Sequence, residues 1–297
     1  MFDAVHSMRS RIMTSPCFKD DRVLGAILFE DTMDRTVEDI PTCEYLWVMK
    51  GIVPFLKIDK GLSNKVAKVD SESGGIEIIE GEASVQLLNP IPNLQSLLRR
   101  AKAAGVYGTK ARSLILNPKN PEQIDALVQQ QFEIAREVLK EGLIPIIEPE
   151  IDVSQDAADK QACEEILCRA LLRELDILEK EGSLVTKEDS GDSVDAKTLL
   201  GQDNHQVMIK ISLPEIPNQY QECVDHPCCL RVVALSGGYD QTEANARLSR
   251  NRGIVASFSR ALAEGLSHGM TEEEFESKLS ESLDRIFEAS SPSSASP

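Results

Sequence analysis

Seven short apolar runs, each rich in β-branched residues, alternate along this chain with longer segments of helical periodicity. A strand followed by a helix, repeated in this way, indicates a parallel sheet, because each helix returns the chain to the same end of the sheet. The predicted strands are residues 23–29, 51–58, 105–113, 143–150, 206–213, 231–238 and 253–259. The predicted helices are residues 93–104, 121–141, 156–181, 240–251 and 260–266. The predicted fold class is therefore α/β, with one strand fewer than a closed (β/α)8 or TIM barrel.

Several segments outside this alternation are predicted to lie at the surface. Residues 1–16 have the pattern of an amphipathic helix that a proline ends. Two stretches rich in Gly, Ser and acidic residues, 68–86 and 179–204, are predicted to be mobile surface insertions. The Ser- and Pro-rich tail 289–297 is predicted to be disordered, which leaves residues 1–288 as one barrel domain.

The composition argues against several classes of protein. A net charge of −17 disfavours binding to nucleic acids or anionic membranes, since both require surplus Lys and Arg. No apolar run approaches the roughly 20 residues of a membrane-spanning helix, and no signal peptide opens the chain. Seven cysteines, an odd number in a chain of this length, indicate reduced thiols and a cytoplasmic protein.

The densest cysteine patch is CVDHPCC, which contains Cys223, His226, Cys228 and Cys229. A structural metal site normally needs a second pair of ligands at a distance, and the sequence offers no matching pair. We interpret the patch as ordinary buried thiols, and we predict neither a metal nor another cofactor.

Two carboxylates close the fourth predicted strand, in GLIPIIEPEIDV. Glu148 and Glu150 are two residues apart, so they share one face of the strand and both point into the mouth of a barrel. One interpretation makes them the acid and base groups of a catalytic site. The other makes them salt-bridge partners of Lys110 and Arg112, which lie on the preceding strand.

Lys210 lies inside an apolar strand, in VMIKISL. Desolvation lowers the pKa of a lysine, and the neutral amine is a nucleophile toward carbonyl groups. The alternative is a lysine that extends from the strand end into water or pairs with an acid.

The segment LSGGYDQTEAN places a Ser-Gly-Gly turn between a strand and a helix. Backbone N–H groups there, with the Ser236 hydroxyl and the nearby Arg260, are suited to bind a phosphate, although Ser-Gly-Gly is also an ordinary turn. A second group of cations follows other strands and consists of Lys57, Lys110 and Arg112. Two anion sites around a central lysine suit a carbonyl compound that carries two phosphates.

Together these segments resemble class I fructose-bisphosphate aldolases, especially the shorter bacterial-type branch of that family. The resemblance covers most of residues 1–266, and the matching segments occur in the family's order. They are LGAILFEDTMDR, GIVPFLKIDKG, GTKARS, PIIEPE, VMIKISLP, VVALSGGYDQTEAN and SFSRAL.

The resemblance implies that Lys210 forms a Schiff base with the substrate, that Glu148 is the proton acceptor and that Glu150 is its partner. Lys110 matches a further active-site lysine. The implied substrate- and phosphate-binding positions are Lys57, Arg112, Ser236, Gly237, Gly238 and Arg260. The implied reaction is the reversible cleavage of fructose 1,6-bisphosphate in glycolysis and gluconeogenesis, without a metal, because a protonated imine accepts the electrons. The implied partner is a small sugar phosphate, and a homo-oligomer is left open.

One part of the family pattern has no counterpart in this chain. The family's first strand, with an active-site aspartate and a Ser- and Gly-rich phosphate turn, is not found before residue 23. We expect an incomplete sequence, which also leaves an organellar targeting segment open. The alternative hypothesis is a truncated, catalytically impaired paralogue that serves in binding or assembly.

Two further enzymatic alternatives are weaker. A metal-dependent barrel enzyme would use Glu148 and Glu150 as ligands, but none of the four histidines lies in a strand-end motif. A Schiff-base aldolase for another sugar phosphate is disfavoured by the two predicted anion sites.

Overall fold

The computed structural model describes residues 2–70, 72–188 and 206–291, with the side chains of residues 7–70, 72–182 and 206–291. The strands are β1 (Gly25–Leu28), β2 (Thr36–Val37), β3 (Ile40–Pro41), β4 (Val53–Lys57), β5 (Leu62–Ser63), β6 (Val66–Val69), β7 (Ile76–Ile79), β8 (Val85–Leu88), β9 (Gly108–Ile115), β10 (Ile144–Ile151), β11 (Val207–Ser212), β12 (Cys229–Leu235) and β13 (Ile254–Ala256). The α-helices are α1 (Phe2–Thr14), α2 (Glu30–Met33), α3 (Thr42–Glu44), α4 (Leu94–Ala103), α5 (Pro121–Lys140), α6 (Ala157–Glu188), α7 (Gln221–Val224), α8 (Gln241–Leu248) and α9 (Glu272–Ser290). A π-helix, Tyr45–Met49, follows α3.

Seven strands form one parallel path in the order β1-β4-β9-β10-β11-β12-β13, and each of them is one of the seven predicted strands. All neighbouring pairs along this path are parallel. In the part of the chain that the structure describes, no strand pairs with the outer edge of β1 or of β13. Because the strands run in the same direction, their C-terminal ends lie along one edge of the sheet, where side chains from distant segments meet.

Helices α5 and α6 cover the outer face of the central strands. Helix α5 begins with Pro121 in its first turn and ends before Gly142, whose φ of +71° suits a residue without a side chain. Its apolar stripe includes Ile124, Leu127 and Phe132, all fully buried in the core that α5 forms with β10, β6 and α6. Burial of each such side chain contributes roughly 1.5–3 kcal/mol to folding.

A second apolar cluster lies under the N-terminal part of the sheet, where residues of α1, α4 and α9 pack against β1 and β4. Helix α9 begins with a capping box in which Thr271 and Glu274 exchange side-chain and backbone hydrogen bonds. In the described residues, no helix is both long enough and apolar enough to cross a bilayer.

The prediction of a mobile loop at 68–86 is wrong where this segment forms strands. The antiparallel hairpin β6–β7 and the strand β8 occupy this segment. Val85 is buried in the core, and the side chain of Gln130 on α5 bonds the backbone of Leu88 at 2.8 Å and 3.2 Å. The hairpin and β8 therefore form a layer over α5, and the glycines of the segment lie between the strands.

The predicted helix 260–266 is also wrong, because this segment forms turns after β13. The backbone hydrogen bonds here mix four-residue and three-residue spacing, and the carbonyls of Ala261 and Leu262 also accept side-chain hydrogen bonds from Gln241 and Ser282. Gly265, with a φ of +74°, then ends the turn.

The remaining surface predictions are only partly covered by described residues. Residues 179–188 of the second predicted insertion continue α6, and 189–205 lie outside the described residues. Helix α9 extends to Ser290, so the predicted disordered tail begins inside a helix, and 292–297 lie outside the described residues.

Candidate active site

The register between β10 and β11 decides which charged side chains meet at the edge of the sheet. Ile147 pairs with Ile209 across these strands. The next residue along each strand is a charged one, Glu148 on β10 and Lys210 on β11. In-register neighbours on parallel strands point to the same side, so this carboxylate and this amine lie side by side.

Glu148 is shared between two lysines. Its Oε1 lies 3.1 Å from Lys210 Nζ, and its Oε2 lies 2.6 Å from Lys110 Nζ. All three side chains are buried. Although the Lys110 ammonium is close, Glu148 Oε2 has no aligned hydrogen-bond donor among the described residues. A buried carboxylate oxygen in this condition can accept a proton from a bound molecule.

Glu150 has a different partner. Its carboxylate accepts a hydrogen bond from Arg112 Nε in an ion pair near the surface. The Arg112 side chain is 38% exposed, whereas the Glu148 side chain is 5% exposed. Both interpretations of the carboxylate pair thus describe part of the geometry: Arg112 holds Glu150, while Glu148 also faces Lys210.

Asp59 joins the site from the end of β4, and sequence reasoning assigned it no role. Its Oδ2 lies 2.5 Å from Lys57 Nζ and its Oδ1 lies 3.5 Å from Lys110 Nζ. The sequence FLKIDKG does contain an acid two residues beyond a strand-end lysine. The contact of this acid with Lys110 could not be inferred from it, because Lys110 comes from a strand about 50 residues later.

The environment of Lys210 makes its ammonium group easier to deprotonate than that of a free lysine. Burial lowers the pKa of Lys210 from its ordinary value, Glu148 opposes that change, and the charge of Lys110 adds to it. A neutral buried amine is a nucleophile, and the adjacent carboxylate can exchange protons with it. The arrangement is therefore suited to form an imine with a carbonyl compound.

The predicted phosphate turn follows β12, the neighbour of the Lys210 strand. Ser236 is buried, and Gly237 and Gly238 have φ values of +65° and +116°, which L side chains rarely adopt. Neither glycine N–H has an acceptor among the described residues. The turn therefore presents two free donors, as an anion site requires.

Arg260 lies beyond the neighbouring strand β13 and is exposed. It forms no ion pair with any described residue. Lys57 also lies at the rim, 26% exposed, with its ammonium 5.5 Å from the centre of the Phe29 ring. The structure therefore brings Lys57, Lys110, Glu148 and Lys210 into one row of contacts through Asp59, whereas within the described residues no hydrogen bond or ion pair joins Arg260 to them.

Replacing Gly237 with alanine should destabilise the protein more than the same change at Gly74. Both glycines have a similar φ, +65° and +69°, but a Cβ at Gly237 would lie 2.9 Å from Val153 Cγ1, whereas one at Gly74 meets nothing within 4 Å. We expect about 1–2 kcal/mol from the backbone strain at each position and roughly 1–3 kcal/mol more at Gly237 from crowding. Urea unfolding of both variants measures the difference, and equal losses would contradict the crowding.

Among the described residues, none of the cysteines in the patch belongs to a group of possible metal ligands. Within the described residues, Asp176, Glu179 and His226 could supply ligand atoms. However, His226 Nδ1 accepts the Cys228 N–H at 3.1 Å, which places the proton of the neutral ring on Nε2, directed at Asp176. Burial raises the pKa of the Cys228 thiol to about 11 and that of Cys229 to about 12, so both remain thiols.

No family model matches this chain. It is 48% identical over 290 residues to a Synechocystis protein named fructose-bisphosphate aldolase class 1, a match that covers 98% of this chain and 83% of that protein. Proteins with the same name from Clostridium acetobutylicum and Porphyromonas gingivalis are 45% and 42% identical over the same length, with 84% of each covered.

One solved structure shows the same fold. It is the fructose-bisphosphate aldolase of Plasmodium falciparum in complex with TRAP and a small-molecule inhibitor, with a TM-score of 0.69. The match covers 96% of this chain and 81% of that one. At 17% identity, this likeness shows that the curled parallel sheet has the α/β architecture of a TIM barrel.

Proposed function

Because this chain belongs to the class 1 fructose-bisphosphate aldolase family, we propose that it reversibly cleaves fructose 1,6-bisphosphate to dihydroxyacetone phosphate and glyceraldehyde 3-phosphate. The observation that supports specific residues for this reaction is the buried pair Lys210 and Glu148, with Nζ 3.1 Å from Oε1. Family membership gives no support to the alternative of a non-catalytic paralogue.

The first steps use the Lys210 amine. Its neutral form attacks the C2 carbonyl of the open-chain ketose, and the carbinolamine then loses water to give a protonated imine. Glu148 lies within ion-pair distance of Lys210, so it is placed to move the protons that addition and dehydration require. Lys110, on the other side of Glu148, balances the negative charge of that carboxylate in the buried site.

Bond cleavage uses the same carboxylate. Glu148 removes the proton of the C4 hydroxyl, the C3–C4 electron pair moves into the iminium, and glyceraldehyde 3-phosphate leaves. Protonation of the enamine at C3 and hydrolysis of the imine release dihydroxyacetone phosphate and regenerate Lys210. The iminium accepts the electrons that a Lewis acid would otherwise stabilise.

The two phosphates of the substrate fit the two groups of anion-binding residues. One is the turn Ser236–Gly238, whose glycine N–H groups are free within the described residues, together with Arg260. The other comprises Lys57 and Arg112, which are partly exposed at the rim. Strong, charge-assisted hydrogen bonds from these cations would fix the ketone carbon near the Lys210 amine.

We further propose that residues 1–288 form one barrel domain that acts in glycolysis and gluconeogenesis in the cytoplasm. The continuous parallel sheet supports the single domain. All seven cysteines are buried free thiols, which suits a reducing compartment.

Trapping of the imine tests the function and the role of Lys210 together. Cyanoborohydride with dihydroxyacetone phosphate should attach a three-carbon phosphate adduct to Lys210, located by mass spectrometry of peptides. Because burial lowers the pKa of this amine, the neutral fraction is larger at any pH than for a free lysine, so the trapping rate should reach half its maximum below pH ~10.4.

The same experiment can also contradict the assignment of Lys210. An adduct at another lysine, or a midpoint at or above that of a free lysine, would contradict the assignment. Loss of cleavage with a chelator, without any adduct, would favour a metal-dependent enzyme instead.

A further inference from the structure

Asp59 connects two of the lysines that the proposed function uses. Its Oδ2 binds Lys57 Nζ at 2.5 Å, and its Oδ1 lies 3.5 Å from Lys110 Nζ. The backbone N–H of Arg112 also donates to Oδ1, at 3.3 Å. The Asp59 side chain is only 7% exposed, so these contacts replace most of its hydration.

The charges of the site alternate in sign along the row of contacts. The order is Lys57, Asp59, Lys110, Glu148 and Lys210, three cations separated by two anions. Buried charges are costly unless opposite charges compensate them, and removal of one partner leaves the others uncompensated. The position of each member therefore depends on its neighbours in the row.

Lys110 is the member whose position depends most on Asp59. Its ammonium lies between Asp59 at 3.5 Å and Glu148 at 2.6 Å. Without the Asp59 charge, Glu148 would be the only ion-pair partner of Lys110 that remains among the described residues. A tighter pair between Lys110 and Glu148 would compete with Lys210 and with the substrate for the same carboxylate.

We propose that Asp59 is a positioning residue of the reaction: it holds Lys57 at the rim and draws Lys110 partly away from Glu148, so that Glu148 stays available to Lys210 and to the substrate. This inference rests on the proposed function. It goes beyond that function because Asp59 itself contacts neither Lys210 nor Glu148 and acts through the two lysines.

The test replaces Asp59 with asparagine, which keeps the shape and the acceptor for the Arg112 N–H but removes the charge. A misplacement of about 1 Å in an active site costs as much as 10²-fold in rate, so we expect kcat/KM for fructose 1,6-bisphosphate to fall roughly 10- to 100-fold. The fall should be divided between a lower kcat, from Lys110, and a higher KM, from Lys57. Asp59→Glu should recover little of the lost kcat/KM, because the longer side chain displaces the carboxylate by one methylene group.

Asp125→Asn is the matched control. Asp125 on α5 also forms an ion pair, with Arg173 at 3.0 Å, and it is partly exposed, but it lies outside the site. This variant should retain the turnover of the unsubstituted protein. Urea unfolding of Asp59→Asn and Asp125→Asn separates loss of turnover per folded molecule from loss of folded protein.

A second readout does not depend on aldolase activity. Brief acylation of amines, quantified by mass spectrometry, reports how firmly each lysine is held in an ion pair. In Asp59→Asn, labelling of Lys57, which loses its ion-pair partner, should rise several-fold, whereas labelling of Lys110, which stays paired with Glu148, should not rise. Lys160 is the internal reference, because it is buried with Glu164 at 2.6 Å and has no contact with Asp59.

Each outcome decides the proposal. Higher labelling of Lys57, without a rise at Lys110, together with the expected loss of kcat supports it. Unchanged labelling of Lys57, unchanged turnover, full recovery in Asp59→Glu, or a loss explained entirely by unfolding would overturn it. If the unsubstituted protein cleaved no fructose 1,6-bisphosphate, the proposed function would fail and with it a role in that reaction, while labelling would still show whether Asp59 holds Lys57.

Discussion

Replacing Lys210 with methionine should abolish the cleavage of fructose 1,6-bisphosphate, a loss of at least about 10⁴-fold in kcat, as expected when a covalent nucleophile is removed. Methionine has a similar length and is flexible enough to fill the space of the lysine stem, and Lys110 still balances the charge of Glu148. The protein should therefore still fold, with Glu148 held by Lys110 alone. A coupled assay for triose phosphate measures the loss.

Lys210→Arg is the matched variant, because it keeps a positive charge beside Glu148 but cannot form an imine at neutral pH. Both variants should be inactive and should give no adduct with dihydroxyacetone phosphate and cyanoborohydride. If Lys210→Arg retained turnover, the charge rather than the nucleophile would be the contribution of this residue. A three-carbon adduct at Lys110 in either variant would move the Schiff base to that lysine.

Replacing Glu148 with glutamine should lower kcat by about 10²-fold or more, the usual contribution of general acid–base catalysis. The amide keeps the shape of the side chain but cannot take a proton from the C4 hydroxyl. Because the Glu148 carboxylate raises the pKa of Lys210 against the effect of burial, its removal should also move the trapping midpoint of Lys210 to lower pH.

Glu150→Gln is the comparison that separates the two carboxylates. Glu150 pairs with the partly exposed Arg112, so we expect a smaller loss of kcat and little change in the trapping midpoint. Near-ultraviolet circular dichroism should confirm that both variants are folded, because Glu148 is buried between two ammonium groups. A larger loss in Glu150→Gln than in Glu148→Gln would reverse the two assignments.

The elements of the fold that follow from local pattern were predictable. Each of the seven predicted strands is present in the parallel sheet, because a run of apolar and β-branched residues is buried wherever that sheet forms. Helix α5 was equally clear, since Pro121, the apolar stripe and Gly142 mark its start, its buried face and its end. These signals lie in adjacent residues, so they do not depend on the rest of the chain.

The two incorrect element predictions have a common cause. Residues 68–86 have the composition of a loop, but packing on α5 orders them as the hairpin β6–β7 and the strand β8. Residues 260–266 have the composition of a helix, but they form turns in which the carbonyls of Ala261 and Leu262 accept hydrogen bonds from the side chains of Gln241 and Ser282. In both cases a contact from a distant segment outweighed the local preference.

The chain by itself determined which residue types close each strand: a lysine inside an apolar run at 210 and a carboxylate pair at 148 and 150. Only the tertiary structure decided that Glu148 faces Lys210 and Lys110 while Glu150 pairs with Arg112, and that Asp59 joins the row. The reason is physical. Periodicity and residue type are properties of contiguous residues, whereas the partners of a buried charge depend on the register between strands that are far apart in sequence, and packing across the whole sheet sets that register.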